Sequence, residues 1–252
     1  MDRPRFKASF LHPRFWPLWL GLGGLWLIVQ LPFRVLLVIG RLLGAAMYCV
    51  ATDRKYIASR NLELCFPHLS GAERKRLLKE NFASTGIAFF EMAMSWWWSK
   101  RRLAKLARIE GLEHLQRAQQ NGEGVILMAL HFTTLKSVQP CWASSTPSMA
   151  CIASTGTRCS TLSSVVGRER HNLDSLAVER EDVRACSNCC VRAGPSGMHR
   201  IRTYGAKQSV FVPLFGIQAA TVTATSKFAK LGRAQVVPFT SNVWPMAVVT
   251  NW

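Results

Sequence analysis

The sequence predicts an α/β fold in which helices flank a mixed sheet, preceded by an N-terminal transmembrane or membrane-embedded helix. The first observation behind this prediction is composition: 49% of the 252 residues are hydrophobic and the mean hydropathy is +0.10. Such a chain can build a core, which excludes a disordered protein. The second is an uncharged run of 19 residues at 15–33, and the third is a six-residue apolar run at 125–130.

The first element is the N-terminal apolar run. As a helix, residues 15–33 would span about 28 Å, close to the thickness of a bilayer's hydrocarbon core. A second apolar stretch, 35–50, is interrupted by Arg41 alone and predicts a helix lying against or in the membrane. We therefore expect residues 1–52 to form a membrane anchor and an interfacial helix, followed by one domain over residues 53–252.

The flanks of this run set its expected orientation. If the run spans the membrane, the positive-inside rule places the amino terminus in the cytoplasm, because four basic residues precede the run. These residues are Arg3, Arg5, Lys7 and Arg14. A cleaved signal peptide and a buried core helix are the alternatives. The run exceeds a usual signal core and no small-residue cleavage site follows it closely, which favours an uncleaved anchor.

The chain carries a formal net charge of +18, from 32 Lys and Arg against 14 Asp and Glu. Nucleic acid, an anionic membrane and an acidic protein are the partners that such a charge attracts. No basic run reaches five residues, which argues against nucleic acid. A basic collar of Arg54, Lys55 and Arg60 directly follows the apolar segments and suits anionic head groups of membrane lipids.

A long helix is expected after the collar. Ser70 and Glu73 have the spacing of a capping box, which predicts a helix start there and a helix running towards the tryptophans at 96–98. Three adjacent tryptophans cannot all face one core. At least one is expected to be exposed or at a lipid interface, and a buried aromatic cluster at the helix end is the alternative.

The apolar run at 125–130 predicts a strand buried on both faces of the sheet, because it does not alternate with polar residues. His131 follows directly. Catalytic residues of open α/β sheets gather at the carboxyl ends of strands, so this histidine is the best placed of the six. A lone histidine is more often structural, and both interpretations stay open on this evidence.

Residues 54–135 carry a family resemblance. The motifs are NLELCFP at 61–67, the triple tryptophan, IEG at 109–111 and GVILMALHFTTL at 124–135. The segment resembles the lysophospholipid and lipid A acyltransferases. In that family a His and an acidic residue, separated by four residues, form the catalytic motif, and the imidazole acts as general base on a hydroxyl that attacks an acyl thioester.

The resemblance implies a function for the chain. A fatty acyl chain, commonly laurate, would pass from acyl carrier protein to a hydroxyl of a lipid A precursor in lipopolysaccharide biosynthesis. The reaction would take place at the cytoplasmic face of the inner membrane and would need no cofactor or metal. His131 would be the general base, and the acidic acyl carrier protein would suit the basic surface.

The catalytic motif departs from the family at its acid. Lys136 occupies the position of the motif acid, and lysine cannot accept a hydrogen bond from the imidazole N–H. Residues 136–166 then lose the family pattern, with 15 of 31 being Ser, Thr or Cys. The pattern lapses again at 185–202 and at 241–252, and the family's usual carboxyl end would extend further. We interpret these blocks as the result of reading-frame shifts in the coding sequence.

Phe211, Pro213, Phe215 and Gly216 resemble the family segment that lines the substrate cleft. A plain buried strand and turn explains the same residues equally well. We expect a strand over 207–216, a helix over 219–231 and a further strand over 235–239.

A metal site has little support in the sequence. Cys186 and Cys189 have the spacing of half a zinc site, and His171 and His199 flank them. No second pair at ligand spacing accompanies them, so no metal ligand is assigned.

Two other classes of function remain open. One is a catalytically inactive, membrane-bound remnant, and the other is a basic membrane-associated binding protein. An acyl-transfer assay discriminates the first from an enzyme, and vesicle binding with and without anionic lipid probes the second.

Overall fold

The computed structural model describes residues 12–106, 110–111, 113, 116–117, 120, 124–129, 149–152, 176–179, 195–199 and 209–239. The helices and strands in these ranges fall into two compact units. One, the helical unit, comprises Leu27–Ala93 and Arg202–Thr223. The other, the sheet unit, comprises Met1–Trp26, Met94–Ile201 and Ala224–Trp252.

The N-terminal apolar run is divided between two helices. A short 3₁₀ helix, Pro13–Phe15, leads into α1, Trp16–Val29, and α2 follows over Phe33–Val50. The prediction of one continuous helix over 15–33 is therefore wrong. Pro32 lies at the N-cap of α2, and its ring and missing N–H prevent α1 from continuing. With 14 residues, α1 is only about 21 Å long.

By length and composition, α2 is the one helix in the described ranges that could cross a membrane. Its 18 residues span about 27 Å. The stretch predicted as the second, interfacial helix is thus the stronger membrane candidate. Part of its exposed surface is apolar, and includes Val35, Val38 and Leu42.

Three further helices follow. Helix α3, Thr52–Cys65, carries the basic collar, and α4, Gly71–Trp97, is the long helix predicted from the capping box. The box itself is formed: the Ser70 N–H donates to Glu73 Oε2 at 2.8 Å, and the Glu73 N–H donates to Ser70 Oγ at 3.3 Å. Helix α5, Lys100–Ala104, begins at Ser99, whose hydroxyl accepts from the Arg102 N–H.

Helices α2 and α4 meet backbone to backbone through glycines. A Cβ atom at Gly86 would lie 2.1 Å from the Gly40 carbonyl oxygen, and one at Gly44 would lie 2.3 Å from the Phe82 carbonyl oxygen. Such distances leave no room for any side chain. The edge of the Phe82 ring contacts Tyr48 with ring centroids 5.5 Å apart, so the crossing is flanked by aromatic packing.

The tryptophans at the end of α4 fit the buried alternative better than the exposed one. Trp98 is buried, and the Arg102 guanidinium lies 3.5 Å from its ring centroid. Trp96 and Trp97 are half-buried and pack edge to face at 5.6 Å. None of the three is fully exposed.

Among the residues that the structure describes, the sheet unit contains five strands in the order β3-β2-β4-β1-β7. These are β1 Gly124–Ala129, β2 Met149–Ile152, β3 Leu176–Glu179, β4 Pro195–His199 and β7 Ala234–Phe239. Every pairing among these described strands is parallel, so this part of the sheet differs from the mixed sheet expected from the sequence. Helices accompany it, and the α/β class is retained.

The core of the sheet lies on β1. Val125 and Ile126 are 0% exposed, which confirms the buried strand predicted from the apolar run. Helix α6, Ala224–Gly232, packs Phe228 and Ala229 against Ile126. The predicted strand at 235–239 is also confirmed, as β7.

The helical unit also contains a two-stranded antiparallel hairpin. Its strands are β5, Ser209–Leu214, and β6, Ile217–Val222. The prediction of a helix beginning at residue 219 is wrong, because β6 pairs with β5 along its whole length and α6 begins only at Ala224. No regular apolar alternation marks β6 in the sequence, and its register is set by the turn before it.

Candidate active site

An interior strand of the parallel sheet, β1, ends just before the predicted catalytic motif. Strand β1 pairs with β4 on one side and β7 on the other, and it ends at Ala129, two residues before His131. The register aligns Ala129 with His199 and with Phe239, so three strands end together at this edge. His131 and Lys136 themselves lie outside the described residues.

The four predicted substrate residues lie on the hairpin. Phe211 and Pro213 share one face of β5, because strand residues alternate between the two faces. Their cross-strand partners on β6 are Ala220 and Gln218, and all four residues are exposed. Phe211 is 72% exposed, so the alternative of a plain buried strand does not describe this segment.

The turn of the hairpin consists of Phe215 and Gly216. Their φ angles are +52° and +78°, the sign that a two-residue type I′ turn requires at both positions. Glycine adopts such angles freely, whereas a bulky aromatic residue does so at a cost of about 1–2 kcal/mol. Phe215 is nevertheless 61% exposed, so the strained residue presents much of its ring to the outside.

The Phe66 ring packs against the Phe215 ring. The two ring centroids lie 5.0 Å apart with the planes tilted by 53°. An aromatic contact of this kind contributes about 0.5–1.5 kcal/mol, which offsets much of the backbone strain at the turn. Phe66 follows α3 directly, so the hairpin tip is joined to the connection between α3 and α4.

That connection is fixed from its other end by Arg74. The Arg74 guanidinium donates to the carbonyl oxygens of Phe66 and Pro67, each at 3.5 Å, and to that of Leu69. The Phe66 carbonyl oxygen also accepts from the Leu69 N–H at 3.2 Å, so a backbone turn and the Arg74 side chain both contribute to holding this connection. Sequence reasoning did not find Phe66 or Arg74 as site residues, because a contact between segments far apart in the chain leaves no local pattern.

Two carboxyl groups of the helical unit have shifted pKa values. Burial raises the pKa of Glu91 on α4 to about 7, because its side chain is removed from water. The Ser70 hydroxyl and N–H, by contrast, donate to Glu73 and lower the pKa of that exposed carboxyl. Of these two carboxyl groups, Glu91 is the one that titrates near neutral pH.

Metal-ligating clusters do not occur among the described residues. Cys186, Cys189 and His171, from the half zinc site considered above, lie outside those residues. Cys49 and Cys65 are free thiols.

Parallel strands accompanied by helices define an α/β protein. The sequence profile of the bacterial lipid A biosynthesis acyltransferases matches residues 3–244. The chain belongs to this family and is an acyltransferase.

Characterised relatives agree with this assignment. The lipid A biosynthesis lauroyltransferase of Escherichia coli is 35% identical over 237 residues, covering 94% of this chain and 77% of the relative. The palmitoleoyltransferase of the same organism shows the same identity and coverage. A lipid A biosynthesis acyltransferase of Haemophilus influenzae is 33% identical over 241 residues, covering 94% of this chain and 76% of the relative.

Proposed function

We propose that the protein transfers a fatty acyl chain, laurate, from acyl carrier protein to a hydroxyl of a lipid A precursor. The observation that carries this proposal is strand β1, a buried interior strand of a parallel sheet that ends two residues before His131. Relatives named for lauroyl, palmitoleoyl and myristoyl transfer support an acyl chain as the transferred group. Laurate is proposed from the similarity to the lauroyltransferase, and the palmitoleoyltransferase equals that similarity in identity and coverage.

The chemistry assigned to His131 is general base catalysis. Its imidazole takes the proton of the acceptor hydroxyl while the hydroxyl oxygen attacks the thioester carbonyl carbon. The ester C–O bond forms, the C–S bond breaks, and the proton held by the imidazole passes to the leaving thiolate. Atoms and charge then balance without a cofactor.

Lys136, at the position of the motif acid, is expected to lower the rate of acyl transfer. The family places a carboxylate there to orient the imidazole, whereas the Lys136 ammonium repels the imidazolium formed during the reaction. Loss of an orienting carboxylate costs about 10⁴ in rate in the serine-protease triad. We therefore propose that the chain as written transfers acyl groups slowly or not at all, and this favours the inactive membrane-bound form as the second candidate.

The hairpin is proposed to contact the acyl chain through Phe211, Pro213, Phe215 and Gly216. Apolar rings that stay exposed on a folded hairpin are suited to an apolar ligand. The strain at Phe215 supports the same assignment, because residues held in unfavourable backbone conformations cluster at functional sites.

The proposed location is the cytoplasmic face of the inner membrane, with residues 1–52 as anchor and 53–252 as acyltransferase domain. Support comes from the apolar helix α2 and from the net charge of +18, which attracts both anionic lipid and acidic acyl carrier protein. Full-length protein should sediment with membranes and require detergent for extraction. Quantitative recovery of the full chain in the soluble fraction would contradict this location.

An acylation assay with lauroyl-acyl carrier protein and a lipid A precursor tests the activity. We expect transfer near background for the chain as written. Lys136→Glu alone should restore little, because the family's substrate-binding residues are also missing from 136–166 and 185–202. A chain with the family reading frame restored across 136–202 should transfer laurate, and His131→Ala in that chain should abolish transfer. Full activity of the unmodified chain that survives His131→Ala would overturn the assignment.

A further inference from the structure

The Phe215 ring at the tip of the hairpin packs against a residue from a distant part of the chain. Phe66 lies directly after α3, and its ring centroid is 5.0 Å from that of Phe215 with the planes tilted by 53°. Phe66 is half-buried, whereas Phe215 is 61% exposed. Phe66 therefore supports part of the Phe215 ring and leaves the rest open to a ligand.

Phe66 is itself restrained by its neighbours. Its N–H donates to the Leu62 carbonyl oxygen at 2.9 Å, and its carbonyl oxygen accepts from the Leu69 N–H at 3.2 Å and from Arg74 at 3.5 Å. The His68 ring packs edge to face against the Phe66 ring, with centroids 6.2 Å apart. Because its backbone and its ring both have partners, Phe66 presents a fixed surface to the hairpin.

Position 215 has a backbone conformation that is unfavourable for an aromatic residue. Its φ angle is +52°, an angle that Asn or Gly adopts without strain in a type I′ turn. The cost of the strain and the gain from the Phe66 contact are of similar size, so the Phe215 ring adds little net stability. A strained ring that is held in place and still exposed indicates a functional role for its position.

We propose that Phe66 is a positioning residue of the acyl-chain site, which fixes the orientation of the Phe215 ring against the transferred chain without contacting the chain itself. This inference rests on the proposed function, in which Phe215 contacts the acyl chain. It extends the site from the hairpin to the connection between α3 and α4. A ring that is already oriented binds its ligand with less loss of side-chain freedom, so loss of the Phe66 ring should weaken the placement of the chain at the hairpin.

Photocrosslinking of the full-length chain in amphipol tests the proposal without requiring turnover. The probe is acyl carrier protein that carries a lauroyl group with a diazirine at the end of its chain. The sequence allows the hairpin to be read separately, because residues 208–226 contain no Lys or Arg and trypsin releases the peptide 208–227. Mass spectrometry gives the fraction of all adducts on the chain that fall on this peptide.

Three variants are compared with the parent. Phe66→Leu removes the ring and keeps an apolar side chain, whereas Phe66→Tyr keeps the ring and is the conservative rescue. Phe89→Leu is the matched control, because the Phe89 ring belongs to another aromatic pair of the helical unit, with Phe90 on α4 at 5.5 Å.

We expect Phe66→Leu to lower the hairpin fraction of adducts several-fold, and Phe66→Tyr and Phe89→Leu to keep the parent fraction. A hairpin fraction unchanged by Phe66→Leu, beside clear hairpin adducts in the parent, would overturn the inference and leave the acyl-chain assignment of the hairpin intact. An equal loss in Phe89→Leu would also overturn it, because the loss would then reflect a general loosening of the unit. Absence of hairpin adducts from the parent would overturn the acyl-chain assignment of the proposed function, and the inference with it.

Discussion

Two apolar surfaces of the helical unit are built in opposite ways. The crossing of α2 and α4 is closed: Gly40, Gly44 and Gly86 bring the two backbones together with no space for a single methyl group. The face of the β5–β6 hairpin is open: Phe211 and Phe215 are 72% and 61% exposed. The helix crossing has glycines where the two backbones are closest, whereas the hairpin face has large aromatic side chains that are largely exposed.

This difference in packing predicts that substitutions at the two surfaces affect different properties, stability at the helix crossing and binding at the hairpin. At the closed crossing, each residue is constrained by its neighbours, so substitutions should act on the free energy of unfolding. On the open face, large apolar side chains gain little from the fold, and we have proposed that they contact the acyl chain of the substrate. Substitutions there should leave stability nearly unchanged and alter binding.

Gly86→Ala should give the largest effect on stability. Its Cβ would lie 2.1 Å from the Gly40 carbonyl oxygen and 2.5 Å from the Gly44 nitrogen, so the helices must separate. We expect a loss of about 3 kcal/mol or more, at the upper end of what an extra methyl group costs in a packed site, although alanine favours the helix itself by about 1 kcal/mol. Unfolding of the full-length chain in detergent, followed by circular dichroism, measures the change.

Gly71→Ala is the matched control, because a Cβ at Gly71 in the same helix meets no atom within 4 Å. This substitution should be neutral or slightly stabilising. Equal behaviour of the two variants would mean that α2 and α4 do not make this crossing.

The elements of the fold differ in how well they could be predicted from the sequence. The helix α4 and the strand β1 were predicted because their signals are local: the Ser70–Glu73 box and an unbroken apolar run. The break at Pro32 was missed because the composition of 15–33 is uniform, although the proline fixes the helix boundary.

From the sequence, site residues could be proposed only where a local motif or a resemblance marks them, and these assignments stay predictions. His131 follows from the end of an apolar strand, and a resemblance points to the hairpin residues. The turn at Phe215 and Gly216 lacks the Asn-Gly signal of a hairpin, so β6 was taken for a helix. The contact between Phe66 and Phe215 could not be predicted from the sequence, because the two residues lie about 150 positions apart in the chain and no local pattern links them.

Glu91→Gln should produce the next largest effect, and one that depends on pH. The folded-state pKa is raised to about 7 from 4.5, so between these values the native state binds more protons than the unfolded state. Stability therefore falls as the pH rises from about 4.5 to 7 and remains lower above it. The glutamine variant should be more stable at pH 8 by up to about 3 kcal/mol, and this gain should vanish near pH 4.

Glu80→Gln serves as the control for this measurement. Glu80 is exposed and pairs with Arg76 at the surface, an interaction that contributes less than about 0.5 kcal/mol. Unfolding curves recorded from pH 4 to pH 8 compare the two variants with the parent. If the Glu91→Gln curve runs parallel to that of the parent, the carboxyl is not buried in the folded chain.

Phe215→Asn examines the strain on the open surface. Asparagine tolerates the left-handed conformation, so relief of strain should stabilise the turn by about 1 kcal/mol. The lost contact with Phe66 opposes this gain in the parent chain. In a Phe66→Ala background the contact is already absent, and the full gain should appear.

The comparison of the two backgrounds is a double-mutant cycle. A gain in the Phe66→Ala background that exceeds the gain in the parent measures the ring contact, expected at about 0.5–1.5 kcal/mol. Identical gains would show that the two rings do not interact.

Phe211→Ser should have the smallest effect on stability. The Phe211 side chain is largely exposed, and Ala220 opposite it is too small to form a close cross-strand pair. The change in the free energy of unfolding should stay within about 0.5 kcal/mol, as for surface substitutions in general. Ile126→Ser on β1 is the matched strand control, because it places a hydroxyl at a fully buried position and should cost about 3 kcal/mol or more. A loss at Phe211 as large as that at Ile126 would mean that the hairpin face is packed in the folded protein, and the distinction between the open and the closed surface would fail there.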